Sequence, residues 1–189
     1  VEVRWEDGVP AFSPLPSLPL PLAESSGVAI GSAIYLFSGR TAGGTARLAL
    51  RLDLEKDEPK WEELAWPKEA RGRMHSVAGV RDGRIYLIGG RDFIEGEDPL
   101  HPEDRMEAEG LDFLRDVYSY GPEADRWTRL ADLPLGLSAG PSGAVPAGSS
   151  HLLLLGGVDA GFLRKQRAAR PALNGQGHQH PGFPRTVWS

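Results

Sequence analysis

The sequence predicts an all-β fold of the β-propeller class, and a repeated pattern carries that prediction. An apolar run that ends in glycine occurs at three places, as "SAIYLFSGR" at 32–40, "GRIYLIGGR" at 83–91 and "SSHLLLLGGV" at 149–158. The landmarks also keep their spacing, because Gly89 follows Pro67 at the same interval at which Gly156 follows Pro134. Strand-forming segments that recur with their landmarks in order indicate a repeat architecture and not a β-sandwich.

Each repeat is predicted to form a blade of four short strands. In the repeat with the clearest pattern, "HSVAGV" at 75–80 is the first strand, and the turn "RDG" connects it to the second, "RIYLIGG" at 84–90. Aspartate followed by glycine suits a tight hairpin turn between two such strands. "RDVYSY" at 115–120 is the third strand and "WTRLADLP" at 127–134 is the fourth. "RTVWS" at 185–189 matches the third strand, which predicts a strand there as well.

These landmarks divide the chain into four parts. Residues 1–22 are predicted to supply a closing strand, "LPSLPLPL" at 15–22, for a preceding blade. Residues 23–66 and 67–134 form one blade each, and residues 135–189 form an incomplete blade with a long insertion. Because the pattern begins and stops within a blade, we expect about three blades of a longer protein, and the remaining blades are then needed for ring closure.

Composition and charge narrow the classes of function. The formal net charge is -5, and the 21 basic residues form no run that would follow a phosphate backbone, so nucleic acid is not an expected partner. No stretch has the length and apolar character of a membrane span. The chain contains no cysteine, which excludes disulfides and thiolate metal sites within it. We expect no cofactor, and the residues themselves do not indicate a cellular compartment.

With these motifs in view, the chain resembles the kelch-repeat propellers of the N-acetylneuraminate epimerase family, also called cyclically permuted mutarotases. The stretches that carry the resemblance are "LPLPLAESSGVAIGSAIYLFSGR", "KWEELAWPKEARGRMHSVAGVRDGRIYLIGG", "LRDVYSYGPEADRWTRLADLPLG" and "HLLLLGGVDAGF". The resemblance implies a six-bladed ring that interconverts anomers of an acidic sugar, and a periplasmic or secreted protein. It places the catalytic glutamate and its partner arginine in a later blade, so no catalytic residue is expected within this chain, which acts as a sugar isomerase only if the full protein carries that glutamate.

Candidate binding residues follow from topology, because the connections from strand 2 to strand 3 and from strand 4 to the next strand 1 share one edge of a meander. Loops on a rigid scaffold are where binding groups usually lie. Arg40 and Arg91 follow the glycines of two second strands, and Arg71 and Arg73 lie between blades. The resemblance places Arg73 at a family arginine, which suits a fork for the sugar carboxylate. An alternative role for Arg73 is to hydrogen-bond loop carbonyls between blades, and we expect Arg40 and Arg91 to be solvated loop ends.

Other polar and aromatic residues are weaker candidates. The stretch "FIEGEDPLHPEDRMEAEG" at 93–110 contains seven acidic residues without the ligand spacing of a calcium loop, and we expect it to be solvated. His178 and His180 have the spacing of a chelating pair but lack a third ligand, so no metal site is predicted. His75 and His151 are expected to be partly buried hydrogen-bonding residues. Trp61 and Trp127 occupy the repeating position of the blade, and we expect packing, and not sugar binding, to be their main role.

Two further functions remain open from the residues alone. A kelch propeller can act without catalysis, by presenting an arginine-rich face to glycans or to acidic protein partners, because a fold does not fix a function. A copper oxidase similar to galactose oxidase would need a tyrosine crosslinked to cysteine, and the absence of cysteine argues against it within this chain.

Overall fold

The computed structural model describes residues 1–94, 111–138, 143–169 and 187–188, and within these residues it consists of β-strands and a single α-helix. None of the helical structure in the described residues is long and apolar enough to cross a membrane. The predicted all-β class is therefore confirmed.

The first four-stranded sheet is an antiparallel meander in chain order, β3-β4-β7-β8. Its strands are β3 (Ser26–Ile30), β4 (Ala33–Phe37), β7 (Ala49–Asp53) and β8 (Trp61–Leu64), and the small hairpin between β4 and β7 is formed by β5 (Arg40–Thr41) and β6 (Gly44–Thr45). Alternate residues of β4, namely Ala33, Tyr35 and Phe37, are buried, as the two-residue period of a strand requires.

The second four-stranded sheet repeats this plan, in the order β9-β10-β13-β14. Its strands are β9 (Val77–Arg81), β10 (Arg84–Ile88), β13 (Val117–Gly121) and β14 (Arg126–Arg129), and its hairpin between β10 and β13 is β11 (Arg91–Phe93) with β12 (Leu111–Phe113). A single 3-10 turn at Pro122–Ala124 connects β13 to β14. The predicted order of four strands, with the glycines at the end of the second, is confirmed.

A third sheet contains β15 (Val145–Ala147), β16 (His151–Leu155) and β17 (Val187–Trp188), in that order. The strand predicted at 185–189 is confirmed at β17, which pairs antiparallel with β16 as a third strand should. The helix α1 (Ala160–Ala169) begins shortly after the glycines that end β16.

The N-terminal segment differs from the prediction. A hairpin of β1 (Glu2–Glu6) and β2 (Val9–Ser13) comes first, and residues 15–22, predicted as a closing strand, contain no strand. Prolines occur at 16, 19 and 21, and each removes a backbone N–H that a sheet would use. The segment still contacts the first blade, because the Trp61 indole N–H donates to the Pro16 carbonyl over 3.0 Å.

Apolar side chains pack the sheets face to face in chain order. Between the first and second sheets lies a cluster of buried residues drawn from both of them: Ala33, Tyr35, Phe37, Ala49, Ala78, Ile85, Leu87 and Tyr120. Trp127 covers this cluster with its ring centroid 4.8 Å from that of Tyr120 and 5.5 Å from that of Phe37, and its indole N–H donates to the Ala65 carbonyl. The packing role predicted for Trp127 is confirmed. A second cluster, Val77, Ile88, Leu137, Ala144 and Leu154, joins the second sheet to the third.

Candidate functional site

In each blade, the residues that follow the second strand lie beside the residues that precede the first strand. An isolated β-bridge joins these two segments. Arg40 forms a bridge with Ala23, and Arg91 forms the equivalent bridge with Met74 one blade later. In the third sheet the corresponding bridge joins Val158 to Ser138. The arginines that topology predicted for one edge therefore occupy equivalent positions in two neighbouring blades, and valine replaces them in the third.

Two further charged or titratable residues enter this region immediately after the bridges. Glu24 and His75 both adopt left-handed backbone conformations, with φ of 59° and 52°, and the backbone N–H of His75 donates to the Glu24 carbonyl over 3.0 Å. Non-glycine residues in this conformation are uncommon and concentrate at functional sites. We call Glu24, Arg40, His75 and Arg91 the junction cluster.

Glu24 is the carboxylate of the junction cluster, and its two oxygens approach different partners. Its Oε1 lies 3.3 Å from Arg40 Nη2, and its Oε2 lies 3.5 Å from His75 Nε2. The side chains of Arg40 and His75 are only 25% and 30% exposed, so both are largely covered by the protein. The expectation that Arg40 is a solvated loop end is wrong, because its paired carboxylate and the neighbouring blade cover it.

Arg91 is the least compensated charge of the junction cluster. Its Nε is buried and has no hydrogen-bond partner within the described residues. Burial lowers the pKa of Arg91, an effect that Glu24 opposes and the charge of Arg40 reinforces. Arginine stays protonated despite such a shift, so two guanidinium charges and one carboxylate lie in the cluster as far as the described residues extend. The expectation that Arg91 is a solvated loop end is also wrong.

His75 lies among these charges as a neutral group at neutral pH. Burial lowers the pKa of His75, and the positive charges of Arg91 and Arg40 lower it further, whereas Glu24 acts in the opposite direction. The imidazole therefore adds no positive charge to that of the two arginines. The junction cluster as a whole is a half-buried cationic site.

The guanidinium of Arg73 is paired within the protein. Its side chain is fully buried, and its Nη1 and Nη2 donate to the two carboxylate oxygens of Asp116 over 2.9 and 2.8 Å. The Nη1 also donates to the Gly89 carbonyl, and the guanidinium carbon lies 5.5 Å from the Tyr118 ring centroid. These side-chain contacts lie within the blade of residues 67–134, whereas the Arg73 backbone bonds to Ser38 and Gly39 of the preceding blade. The backbone contacts are of the kind that the second predicted role, a link between adjacent blades, requires.

Arg71 is likewise held by carboxylates of the protein. Its guanidinium contacts Asp92 and Asp112, one on each strand of the hairpin β11-β12, and donates to the Phe93 carbonyl over 3.1 Å. Asp92 also accepts from the Thr45 hydroxyl, which belongs to the corresponding hairpin of the preceding blade. Arg71 therefore holds the two strands of the hairpin β11-β12, Asp92 links this hairpin to β5-β6, and the charge of Arg71 is already balanced.

Sequence reasoning identified the two cluster arginines but assigned no site role to Glu24 or His75. The available signal was the alignment of "AESS" at 23–26 with "MHSV" at 74–77, which places both residues at the same entry to a first strand. The acidic insertion residues Glu95, Glu97, Asp98, Glu103, Asp104, Glu107 and Glu109, and the pair His178 and His180, lie outside the described residues. Within the described part of the chain, no group of three or more histidine or carboxylate side chains is arranged to hold a metal ion.

Comparisons with known proteins relate this arrangement to a family. Residues 72–134 match the Kelch motif. The chain is 29% identical over 153 residues to the N-acetylneuraminate epimerase of Salmonella arizonae, covering 80% of this chain and 35% of that protein. It is 28% identical over 146 residues to the corresponding epimerase of Yersinia enterocolitica, covering 76% of this chain and 33% of that protein. The chain thus spans about a third of the length of these relatives.

A solved structure shares the fold. The structure of YjhT superposes with a TM-score of 0.61 at 24% sequence identity, over 77% of this chain and 41% of that chain. Together with the four-stranded sheets packed in chain order, this likeness confirms the predicted propeller class. The chain is a kelch-type β-propeller protein related to the N-acetylneuraminate epimerases.

Proposed function

We propose that this protein is a sialic acid epimerase-like kelch protein that interconverts the anomers of an acidic sugar, and that the junction cluster binds the carboxylate of that sugar. The observation that carries the proposal is the excess of positive charge among the described residues of the cluster, where Arg40 pairs with Glu24 and the buried Nε of Arg91 has no hydrogen-bond partner. The names of the relatives supply the substrate class, and the arginines supply the chemistry that recognises it.

The partial burial of the cluster favours this use. An ion pair between fully solvated groups contributes little, because water screens the charges and both side chains lose freedom. Arg40 and Glu24 are about three-quarters covered, and Arg91 Nε is shielded from solvent. A carboxylate that enters such a site forms charge-assisted hydrogen bonds in a medium less polarisable than water, and a guanidinium can bind it through two parallel N–H groups.

Arg71 and Arg73 serve this proposal as supports and not as ligands. Each already pairs with carboxylates of the protein, Arg71 with Asp92 and Asp112 and Arg73 with Asp116. Arg73 contacts the chain next to both arginines of the junction cluster. Its backbone carbonyl accepts from the N–H of Gly39, which precedes Arg40, and its side chain donates to the carbonyl of Gly89, two residues before Arg91. Its position fixes the separation of the two binding arginines.

A binding experiment tests the proposal. N-acetylneuraminate is titrated into the protein and into the variant Arg91→Ala, with Arg126→Ala as the matched control, because Arg126 is exposed and lies at the opposite edge of the same sheet. We expect Arg91→Ala to weaken binding by roughly 10- to 100-fold, the usual range for losing a hydrogen bond to a charged group. Arg126→Ala should leave the Kd unchanged, and N-acetylmannosamine, which lacks the carboxylate, should not distinguish the variants.

Anomer exchange is followed in the same samples by NMR exchange spectroscopy on N-acetylneuraminate. Accelerated exchange that falls in Arg91→Ala supports the proposal. Binding that depends on Arg91 without accelerated exchange would instead indicate a glycan-binding propeller. No binding by the wild-type protein, or equal binding by both arginine variants, would contradict the assignment of the junction cluster.

A further inference from the structure

His75 has a position and an orientation that anion binding alone does not use. Its Nε2 lies 3.5 Å from Glu24 Oε2, its backbone N–H donates to the Glu24 carbonyl, and 30% of its side chain is exposed. The groups that face it come from three other segments: Glu24 before β3, Arg40 on β5 and Arg91 on β11. A histidine that is partly exposed, next to a carboxylate and placed beside two arginines has the surroundings of a proton-transfer group.

The backbone holds this imidazole in one place. His75 and Glu24 are both left-handed, in equivalent positions of two blades, and a backbone hydrogen bond links them. The next residue, Ser76, is bonded to the preceding blade as well. The Ser26 hydroxyl donates to the Ser76 carbonyl over 2.6 Å and lies 2.7 Å from the Ser76 hydroxyl, which adds a second link between the starts of the two first strands. Such a conformation persists only where the surroundings determine it, and here two blades do so.

Glu24 acts on the ring through its charge. Its Oε2 lies 3.5 Å from Nε2 and has no hydrogen-bond partner within the described residues, so the contact is electrostatic and does not select a tautomer. The lowered pKa of His75, caused first by burial and then by Arg91, keeps the ring neutral at neutral pH, with one nitrogen free to accept a proton. Glu24 stabilises the imidazolium that forms when the ring accepts a proton, as a paired carboxylate does for a catalytic histidine.

We propose that His75, beside the Glu24 carboxylate, accepts the proton of the anomeric hydroxyl of a sugar acid whose carboxylate is bound by Arg40 and Arg91. This inference rests on the proposed function and assigns to its site a catalytic residue beyond the glutamate that the family resemblance implies in a later blade. In a 2-keto sugar acid the anomeric hydroxyl and the carboxylate are attached to the same carbon atom. A group that removes the hydroxyl proton must therefore lie next to the groups that bind the carboxylate, as His75 does.

The proton balance of the reaction is complete with one water molecule. His75 takes the proton from the anomeric O–H, that oxygen forms a C=O bond, and the bond between the anomeric carbon and the ring oxygen breaks. Water donates a proton to the ring oxygen and becomes hydroxide, which then receives the proton held by the imidazolium. Rotation about the adjacent carbon–carbon bond and the reverse steps close the ring on the other face of the carbonyl.

The test measures anomer exchange of N-acetylneuraminate as a function of pH in the wild-type protein and in His75→Asn. Asparagine is chosen because it tolerates the left-handed backbone, and His151→Asn is the control, since His151 is exposed at the start of β16. The wild-type rate should rise with pH through the pKa of His75, because only the neutral ring accepts a proton. His75→Asn should lose that rise and exchange at least roughly 100-fold more slowly, with Kd changed less than about threefold.

A second variant keeps the test decisive if His75→Asn folds poorly. Glu24 raises the pKa of His75, so Glu24→Gln should shift the rising limb of the pH profile to lower pH, which loss of fold would not do. Wild-type exchange that persists with an unchanged pH profile in both variants would overturn the role of His75 while leaving the proposed function in place. A wild-type protein that does not accelerate exchange would contradict both.

Discussion

The two junctions between successive sheets share a backbone plan and differ in chemistry. In the first, the Gly39 N–H donates to the Arg73 carbonyl over 2.8 Å, and in the second, the Gly90 N–H donates to the Leu137 carbonyl over 2.7 Å. Arg73 and Leu137 are thus equivalent, as are Ser38 and Gly89, which precede the two donor glycines. The repeat fixes the backbone, and the side chains at equivalent positions decide whether a junction is polar or apolar.

The polar junction is the one that carries the charged site. Ser38 is fully buried, its hydroxyl donates to the Ala46 carbonyl, and it accepts the Arg73 backbone N–H over 2.8 Å. In the apolar junction the equivalent backbone N–H, of Leu137, donates to the Leu114 carbonyl over 3.3 Å, and Leu137 belongs to the hydrophobic cluster. Polar residues define specific directions for their partners, which an apolar contact does not. We infer that the polar junction holds the arginines of the site in register.

Removing the partner of Arg73 should have the largest effect on stability. In Asp116→Ala the fully buried guanidinium of Arg73 loses both of its carboxylate contacts. Breaking a buried pair from one side typically lowers the free energy of unfolding by about 3–5 kcal/mol. Denaturant unfolding measures this change, and Arg73→Leu with Asp116→Ala, which copies the apolar junction, should be less destabilised than Asp116→Ala alone. Equal stability of Asp116→Ala and the wild type would contradict the structural role of Arg73.

A smaller effect is expected from Gly89→Ala in the apolar junction. Gly89 has φ of 53°, and a Cβ atom there would lie 2.4 Å from the Leu137 carbonyl oxygen. The left-handed conformation alone costs about 1–2 kcal/mol for a residue with a side chain, and the contact requires the backbones of two sheets to separate. Thermal unfolding of Gly89→Ala should show a lower Tm, with Gly83→Ala as control, because Gly83 is also left-handed but has open space around it. Equal losses in the two variants would show that the close approach at Gly89 has no effect.

The smallest expected loss is at Ser38→Gly, which gives the polar junction the residue found in the apolar one. The variant relieves the left-handed strain at Ser38 but removes the hydroxyl that joins Ala46 to Arg73. Leaving buried backbone groups without a partner costs about 1–3 kcal/mol, so we expect a net decrease in unfolding free energy of about 1 kcal/mol. A variant as stable as the wild type would indicate that the two junction types are interchangeable at this position.

The parts of the fold that could be predicted from the sequence are those set by local chemistry. The strands of the second blade follow from alternation and from the Asp82-Gly83 turn, and the glycine exits follow from their left-handed backbone, which few other residues adopt. Residues 15–22 contain no strand, and their prolines at 16, 19 and 21 remove backbone donors that strand pairing would use.

The candidate site was only partly predictable, because its members meet through tertiary structure. Arg40 and Arg91 could be found from their place after the repeated glycines. The burial of Arg73 depends on Asp116, which precedes β13 and is 43 residues away in the chain, and no local pattern links the two. Glu24 and His75 join the cluster because adjacent blades pack side by side. In the sequence, the only sign that they are equivalent is the weak similarity of the segments that precede the two first strands.

A structure of the protein with N-acetylneuraminate bound tests the central claim most directly. The account predicts that the sugar carboxylate lies within hydrogen-bond distance of the Arg91 guanidinium, with Arg40 on the same anion and the anomeric hydroxyl directed at His75. Arg73 should remain paired with Asp116, at the distances it has without ligand. A carboxylate bound by Arg73 or Arg71, or a sugar bound away from the junction cluster, would contradict the account.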